Sequence, residues 1–535
     1  MVALCISLGH NSSAVLVRDG EIISGYEEER FTGIKSDSNF PINSVLELKK
    51  RFNVGKDVIL CVSHWFPDGV LPEKNKYWDL SAIESLFPEC EVFSVNSEFT
   101  HHDSHFQSAI AFAGDDFARD FHAYVIDGFG TKAEHISVYH CLGNRYDLID
   151  RFYGYEHSLG LFYQYATGFC GMKMKRDEYK MLAYETHIIE ILGNKEITLV
   201  NDVIDNYSSI AFEQMVSESR ADDTLDTLIR AKSRVEGCLD HYLHIFPYAR
   251  DEDTKKIMVS YFAQRHLENV VMALNARYNP DNLLVVGGVF YNVKLNHLLC
   301  NAVPGKFCAM PLAGDQGAGI GVYQHYFGDL QWPGHLFWGH RTLDFGGLTD
   351  IPGICLVKKD EMFGKIKYEL NKIGFVNAVR GAMEYGPRAL CHTSTLALPE
   401  TKIGAIINRM NGRTDEMPFG LVMTESQARN RFYDIDKVHK SLEYMIMARK
   451  FRREAEFNVL GGAHYYPLTN SYTCRPQVTR DPLMVQLHTQ FGPLINTSLN
   501  YHGTPIVYST DDIIRTHELQ KASLRDIDFK TLVEV

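Results

Sequence analysis

Two histidines four residues apart, His101 and His105, stand in the segment THHDSHFQSAIAFAG. The apolar and small residues after them (Phe106, Ala109, Ile110, Ala111, Phe112) recur at helical spacing, which predicts a helix with both imidazoles on one face. Two imidazoles so placed can grip one divalent cation and leave other coordination positions open. A lone HxxxH also reads as a helix cap with solvated neighbours. Two acids argue for the cation. Asp127 ends the apolar run of YVIDGFG, Asp315 sits in PLAGDQGAGIG, and both are followed by glycines. With His101 and His105 they make a His/His/Asp/Asp set suited to iron or zinc.

A second kind of chemistry is written in glycine turns and arginines. Gly128 follows Asp127, and Gly287 and Gly288 end the apolar run LLVVGG, with Asn292 shortly after. Glycines at such strand ends let backbone N–H groups approach a phosphate, so these turns together predict a nucleotide cleft. Further on, Arg388 lies in EYGPRAL, Arg413 in NGRTDE and Arg475 in CRPQV, with Ser498 in NTSLN. A guanidinium beside Ser and Asn suits phosphate or carboxylate, although surface charge and strand-end capping use the same residues. The Glu28-Glu29-Arg30 run reads as a solvated helix face.

These residues need elements to hold them. ALCISLG, SAVLVRDG and EIISGY read as three strands, with His10 in the tight junction between the first two. The layout returns at AYVIDGFG and AEHISVYHC, a weak repeat at subdomain scale. Such strand-turn-strand units can cradle a nucleotide, or they are two ordinary hairpins. Residues 185–275 form a helix-rich, charged stretch read as a surface or acceptor-shaping insert without chemistry of its own. Periodicity loosens from about 325 to 360, which places a domain junction there and divides the chain into 1–350 and 351–535.

A chain of 535 residues exceeds one ordinary core, and its net charge of -13 argues against a nucleic-acid-coating surface. The eleven cysteines contain no CxxC pair, which reads as free thiols in a reducing compartment. MVALCISLGHNSSAVLVRDG lacks a basic leader, and no apolar run reaches the length of a membrane span. The expectation is a soluble, cytoplasmic protein with no membrane partner.

With SLGHNSSAV, HHDSH, LVVGGVFYN, EYGPRAL and NTSLN in this order, the chain resembles the NodU/CmcH family of O-carbamoyltransferases over nearly its whole length. The resemblance implies an α/β protein in which an ASKHA-type domain, shared with the tRNA threonylcarbamoylation enzymes, is fused to a YrdC-like domain. It implies that the YrdC-like domain converts carbamoyl phosphate and ATP, with magnesium, to carbamoyl adenylate. An acceptor hydroxyl then takes the carbamoyl group at a metal site in the first domain. By the same resemblance the metal ligands are His101, His105, Asp127 and Asp315, and His10 helps the acceptor lose its proton. Lys35 matches the lysine after the EER run. Gly287, Gly288 and Asn292 match a nucleoside-holding turn, beside Gly128. Arg388, Arg413, Arg475 and Ser498 match the carbamoyl phosphate and ATP pocket.

The chain departs from the family pattern in its second half. Cys391 and Thr393 stand where glycine and arginine are common, Asn411 replaces a lysine, Thr414 a glutamate and Met417 an arginine. Arg409 and the run Arg449–Arg453 are the candidates for replacement charge. Two acceptor classes fit equally: a small-molecule or sugar hydroxyl, and a hydroxymethyl-pyrimidine in nucleic acid such as 5-hydroxymethylcytosine, for which the basic run and the aromatics would suit a splayed base. The competing function is a non-catalytic ASKHA-type nucleotide-binding protein with a degenerate second domain. A homodimer is compatible with either.

Overall fold

A computed structural model describes residues 1–66, 69–413, 419–452, 457–466 and 471–535. The first sheet is built from β1 (Val2–Ser7), β2 (Ser13–Arg18), β3 (Glu21–Glu27), β4 (Ile59–Ser63) and β5 (Glu91–Ser94), in the order β3-β2-β1-β4-β5. β1, β2 and β3 run as an antiparallel meander, while β4 and β5 add in parallel. The second sheet repeats this plan with β6 (Asp120–Ile126), β7 (Glu134–Leu142), β8 (Arg145–Tyr153), β9 (Leu283–Val286) and β10 (Phe307–Ala309) in the order β8-β7-β6-β9-β10. β6, β7 and β8 are again antiparallel, and β9 and β10 parallel. The weak sequence repeat is therefore a duplicated sheet. β1, β2 and β9 read as nearly unbroken apolar runs because both faces of these central strands are covered.

Two helices pack between the sheets, His101–Ala113 after β5 and Ala318–Phe327 after β10. They approach so closely that a Cβ on Gly321 would lie 1.7 Å from the Ser104 carbonyl oxygen. Only glycine allows that crossing. Between β8 and β9 the chain adds three long helices, Asn194–Ser217, Leu225–Ile245 and Glu252–Tyr278, started by Thr224 and Asp251 caps for the latter two.

The last sheet holds β11 (Ile354–Val357), β12 (Phe375–Val379), β13 (Thr393–Ala397), β14 (Gly420–Met423), β15 (Arg449–Lys450), β16 (His464–Tyr466), β17 (Ser471–Val478), β18 (Leu494–Ser498) and β19 (Thr531–Glu534). Its order is β11-β19-β12-β13-β18-β14-β17-β15, with β16 also on β17. The whole is a mixed α/β fold. Among the described residues no helix is long and apolar enough to cross a membrane.

One expectation is corrected here. Glu28, Glu29 and Arg30 are buried, not solvated. Arg30 bridges Glu27 at 2.6 Å and Glu29 at 2.5 Å and donates to the Gly386 carbonyl at 3.0 Å, while Glu28 accepts from the Ser44 N–H and hydroxyl and from Asn43. A charged run can be interior when each charge finds its partner in the fold.

Candidate active site

Thr100 and Asp103 close the N-terminus of the helix His101–Ala113: the Thr100 N–H donates to Asp103 Oδ2 at 2.7 Å. The same end is tied to the second sheet by buried Glu134, which accepts from the His102 N–H and the Thr100 hydroxyl, and by Arg151, which reaches Asp103 at 2.6 Å. On this fixed frame His101 and His105 point at one spot, their Nε2 atoms 3.2 Å apart. Asp127, just past β6, and Asp315, after β10, arrive from the second sheet. Asp127 Oδ2 lies 3.6 and 3.5 Å from the two Nε2 atoms, and Asp315 Oδ1 lies 3.4 and 3.5 Å from them. All four donor atoms fall within 4.8 Å of one another.

These residues fit a cation. Four donors about 2.1 Å from one ion in tetrahedral array stand about 3.4 Å apart, close to the spacings observed. Electrostatics agree. Burial pulls the His101 imidazole down, but the two carboxylates more than offset it and hold its pKa at about 10. Burial pushes both carboxyls up, and the two imidazoles bring them below the usual carboxylate range. The cluster thus has the charge and the donor set to hold a divalent cation. The second oxygen of each carboxylate is pinned by a backbone N–H: Asp127 Oδ1 by Gly288 at 3.1 Å and Asp315 Oδ2 by His10 at 2.8 Å. Such outer contacts orient the ligand oxygens.

His10 follows Gly9, and its Nε2 sits 2.7 Å from the Lys175 carbonyl. That contact makes Nε2 the protonated nitrogen and leaves Nδ1 as the acceptor. Lys175 has φ 66°, and its N–H donates to Glu178 Oε1. The Ser158 hydroxyl donates to the Gly128 carbonyl, fixing the turn after Asp127.

Asn292 is a helix cap: its Oδ1 accepts from the Leu295 N–H at 3.0 Å, and its Nδ2 donates to Gln264 Oε1 at 2.7 Å. Gln264 in turn donates to Glu268 at 2.6 Å. Burial and nearby Glu185 push Glu268 up to about 7. Both residues come from the helix Glu252–Tyr278, within the helix-rich insert.

A second cluster forms at the last sheet. Arg413 donates to Thr497 Oγ1 at 2.7 Å, Asn500 Oδ1 at 3.1 Å and Ser498 Oγ at 3.3 Å. Arg475 is held well below its ordinary value by burial and by the charges of Arg388 and Arg413. Lys35 joins them. Its loss of solvation, with Arg413, Arg388 and Arg30 nearby, brings it down to about 8 in spite of Glu29. Among the described residues no carboxylate forms an ion pair with Lys35, Arg388, Arg413 or Arg475. Buried cations gathered in this way have the charge to hold an anion. Tyr291 lies beside the first cluster: its hydroxyl accepts from Gln316, which follows Asp315.

The altered positions find definite roles. Asn411 is buried and accepts from Gln520 at 2.7 Å. Thr393 donates to Glu384 at 2.7 Å and receives Arg341, whose charge with that of His392 offsets the burial of Glu384 and holds it below its usual range. Arg449 is buried against the Tyr433 carbonyl and Cys300, and Arg409 is exposed, so neither is seen to engage the residues around Arg413. Thr414, Met417 and Arg453 lie outside the described residues.

The chain thus carries a His/His/Asp/Asp group that could hold a metal ion and, around Arg413, a buried group of cations. Comparison identifies the family. The family models for the carbamoyltransferase N-terminus and C-terminus match residues 74–323 and 368–528, together well over half of the chain. The protein belongs to the carbamoyltransferase family and is a transferase. An uncharacterized protein of Methanocaldococcus jannaschii is 27% identical, over 95% of both chains. Nodulation protein NolNO of Sinorhizobium fredii is 23% identical over 95% of this chain and 76% of its own. The 3'-hydroxymethylcephem-O-carbamoyltransferase of Amycolatopsis lactamdurans is 32% identical over 25% and 26%. Among solved structures, component A of (R)-2-hydroxyglutaryl-CoA dehydratase from Acidaminococcus fermentans covers 60% of this chain and 97% of its own, at 13% identity and TM-score 0.31. That superposition is too loose to carry a functional argument.

Proposed function

We propose that the protein is an ATP-dependent O-carbamoyltransferase with an ASKHA-type first domain (1–350) and a YrdC-like second domain (351–535). The duplicated β3-β2-β1-β4-β5 order is what favours the ASKHA reading. Carbamoyl phosphate, ATP with magnesium and one water give carbamoyl adenylate, phosphate and pyrophosphate. The acceptor alcohol then attacks the carbamoyl carbon, AMP leaves and one proton is released. The observation that supports the reading most is the convergence of His101, His105, Asp127 and Asp315, whose donor atoms lie within 4.8 Å of one another, in a chain whose two halves match the carbamoyltransferase N- and C-terminal models.

Each step falls to particular side chains. Arg388, Arg413, Arg475 and Lys35 hold the phosphates, with Ser498 and Asn500 orienting Arg413. The Gly287–Gly288 turn receives the adenylate beside Asp127. His10 Nδ1 takes the acceptor proton, and its ring is aimed by the Lys175 carbonyl. His101, His105, Asp127 and Asp315 would hold a divalent ion, iron or zinc, which when bound supplies Lewis-acid polarisation of the carbamoyl group. The mixed anhydride is sensitive to water, so enclosure matters. The name of the Amycolatopsis relative favours a hydroxymethyl group on a small molecule as acceptor. The burial of Arg449 removes part of the basic run that spoke for nucleic acid.

Incubation with ATP, carbamoyl phosphate and magnesium tests the reading. Pyrophosphate release is expected from the wild type and from His105→Ala, and is lost in Arg388→Ala. His105→Ala loses acceptor carbamoylation. Absence of pyrophosphate release from the wild type would instead favour the non-catalytic nucleotide-binding reading.

A further inference from the structure

β4 ends in Ser63, and the next residues, His64, Trp65 and Phe66, run along the cation-binding group. Ser63 Oγ lies 3.4 Å from His101 Nδ1. A Cβ built on Gly9 would lie 2.2 Å from Asp315 Oδ2 and 3.0 Å from Trp65 Cζ3. The indole edge and the carboxylate are therefore no more than about 5 Å apart. Trp65 is half-buried, stacks on Phe66 (centroids 5.3 Å, 28°) and meets Tyr77 edge-on (5.0 Å, 74°). Trp78 and Trp338, by contrast, are buried in the core.

The walls around Asp315 divide by role. The helix bearing His101 and His105 closes one side. The Gly287–Asn292 turn stands on another side, with the Gly288 N–H on Asp127 and the Tyr291 hydroxyl accepting from Gln316; on the proposed reading this is the side from which an adenylate would come. The remaining wall carries His10, the proposed base, and next to it Trp65. The acceptor hydroxyl must touch the base, so the rest of the acceptor lies against this wall.

We infer that Trp65, backed by Phe66 and Tyr77, is the acceptor subsite, and that the acceptor is a ring-bearing alcohol whose ring face lies on the indole. The inference rests on the carbamoyl-transfer reading for its chemistry, but binding to the indole does not depend on turnover. Both a hydroxymethylated base and a sugar ring offer the required face.

The test is tryptophan emission of wild type and Trp65→Phe, titrated with 5-hydroxymethyl-2′-deoxycytidine, with glucosamine and with open-chain 1,2-propanediol. A saturable change with a ring probe in the wild type, absent in Trp65→Phe and absent with propanediol, supports the subsite. Which ring probe responds separates base from sugar. For the responding probe, Trp65→Leu should raise acceptor KM about tenfold or more, with kcat and pyrophosphate release little changed. No response to either ring probe, the same response in Trp65→Phe, or an unchanged KM in Trp65→Leu overturns it. If carbamoyl transfer itself is the wrong reading, pyrophosphate release fails while the emission change persists. If Trp65→Leu does not fold, the emission comparison with the aromatic Trp65→Phe still decides.

Discussion

Replacing Gly9 by alanine should empty the cation-binding group while sparing the anion pocket. Gly9 has φ 118°, and a Cβ there would stand 2.2 Å from Asp315 Oδ2. A methyl carbon and a carboxylate oxygen need about 3.2 Å, so the carboxylate must retreat by about 1 Å or the turn must change shape. Metal donors are held to about 0.2 Å of their distances, so a retreat of that size removes Asp315 as a ligand. It also breaks its 2.8 Å hydrogen bond from the His10 N–H. The backbone conformation adds about 1–3 kcal/mol of strain. The expected result is a folded protein of lower melting temperature, with metal content by plasma mass spectrometry well below one per chain. Carbamoyl transfer should fall at least about a hundredfold, the usual scale when a reacting centre is misplaced by 1 Å. Pyrophosphate release should stay near wild type, because Arg388, Arg413 and Arg475 are untouched. A Gly9→Ala protein with full metal content and full transfer would refute the placement of Asp315 as a ligand.

Other residues give further tests. Burial lowers Lys35 to about 8, so in the folded protein it is charged below that pH and neutral above it; KM for carbamoyl phosphate should rise with an inflection near 8, and Lys35→Arg should move the inflection out of range. Glu178→Ala frees the Lys175 N–H and with it the carbonyl that aims His10. Its transfer kcat should drop about tenfold, the loss of one orienting hydrogen bond to a charged group, with pyrophosphate release unchanged. Lys175→Gly, which suits φ 66° and keeps the carbonyl, should retain activity. Arg30→Ala leaves Glu27 and Glu29 buried without a counter-charge, and chemical denaturation should report about 3–5 kcal/mol lost.

The His/His/Asp/Asp cluster was legible because each member carries a local signal: a four-residue spacing on a helix for the imidazoles, and an acid followed by glycines for each carboxylate. The duplicated sheet was legible for the same reason, since strand, turn and strand recur in composition. What the sequence hides is pairing across distance. Glu28-Glu29-Arg30 looks solvated because its partners lie elsewhere, at Ser44 and Gly386. Gln264 and Glu268 vanish among the many charges of a long helix, and only the fold sets them beside Asn292. Tyr291 was in plain view within GGVFYN, yet nothing local says that it meets Gln316. Trp65 is one aromatic after a short strand, and its place beside Asp315 depends on Gly9 having no side chain.

The two halves of the chemistry are joined rigidly, and the buried network explains how. The turn carrying Arg388 begins at Glu384 and Tyr385. Tyr385 inserts its hydroxyl into the first half of the chain, donating to the Gln316 carbonyl at 2.7 Å and sharing a hydrogen bond with the Ser13 hydroxyl at 2.8 Å. One residue later Gly386 donates to Glu27 and accepts from Arg30. Gln316 follows Asp315, and Arg388 is two residues from Gly386. The spacing between the cation-binding group and the first arginine of the anion pocket is therefore set by interior hydrogen bonds and not by a hinge. The segment around Lys175 touches His10 through the Lys175 carbonyl and is held to Gly503 by Arg176 on the Gly503 carbonyl, so on the proposed reading it is the candidate seal. Arg176→Ala should then raise the loss of carbamoyl groups to water, measured as pyrophosphate released in excess of carbamoylated product, and an unchanged ratio would show that this segment is not the seal.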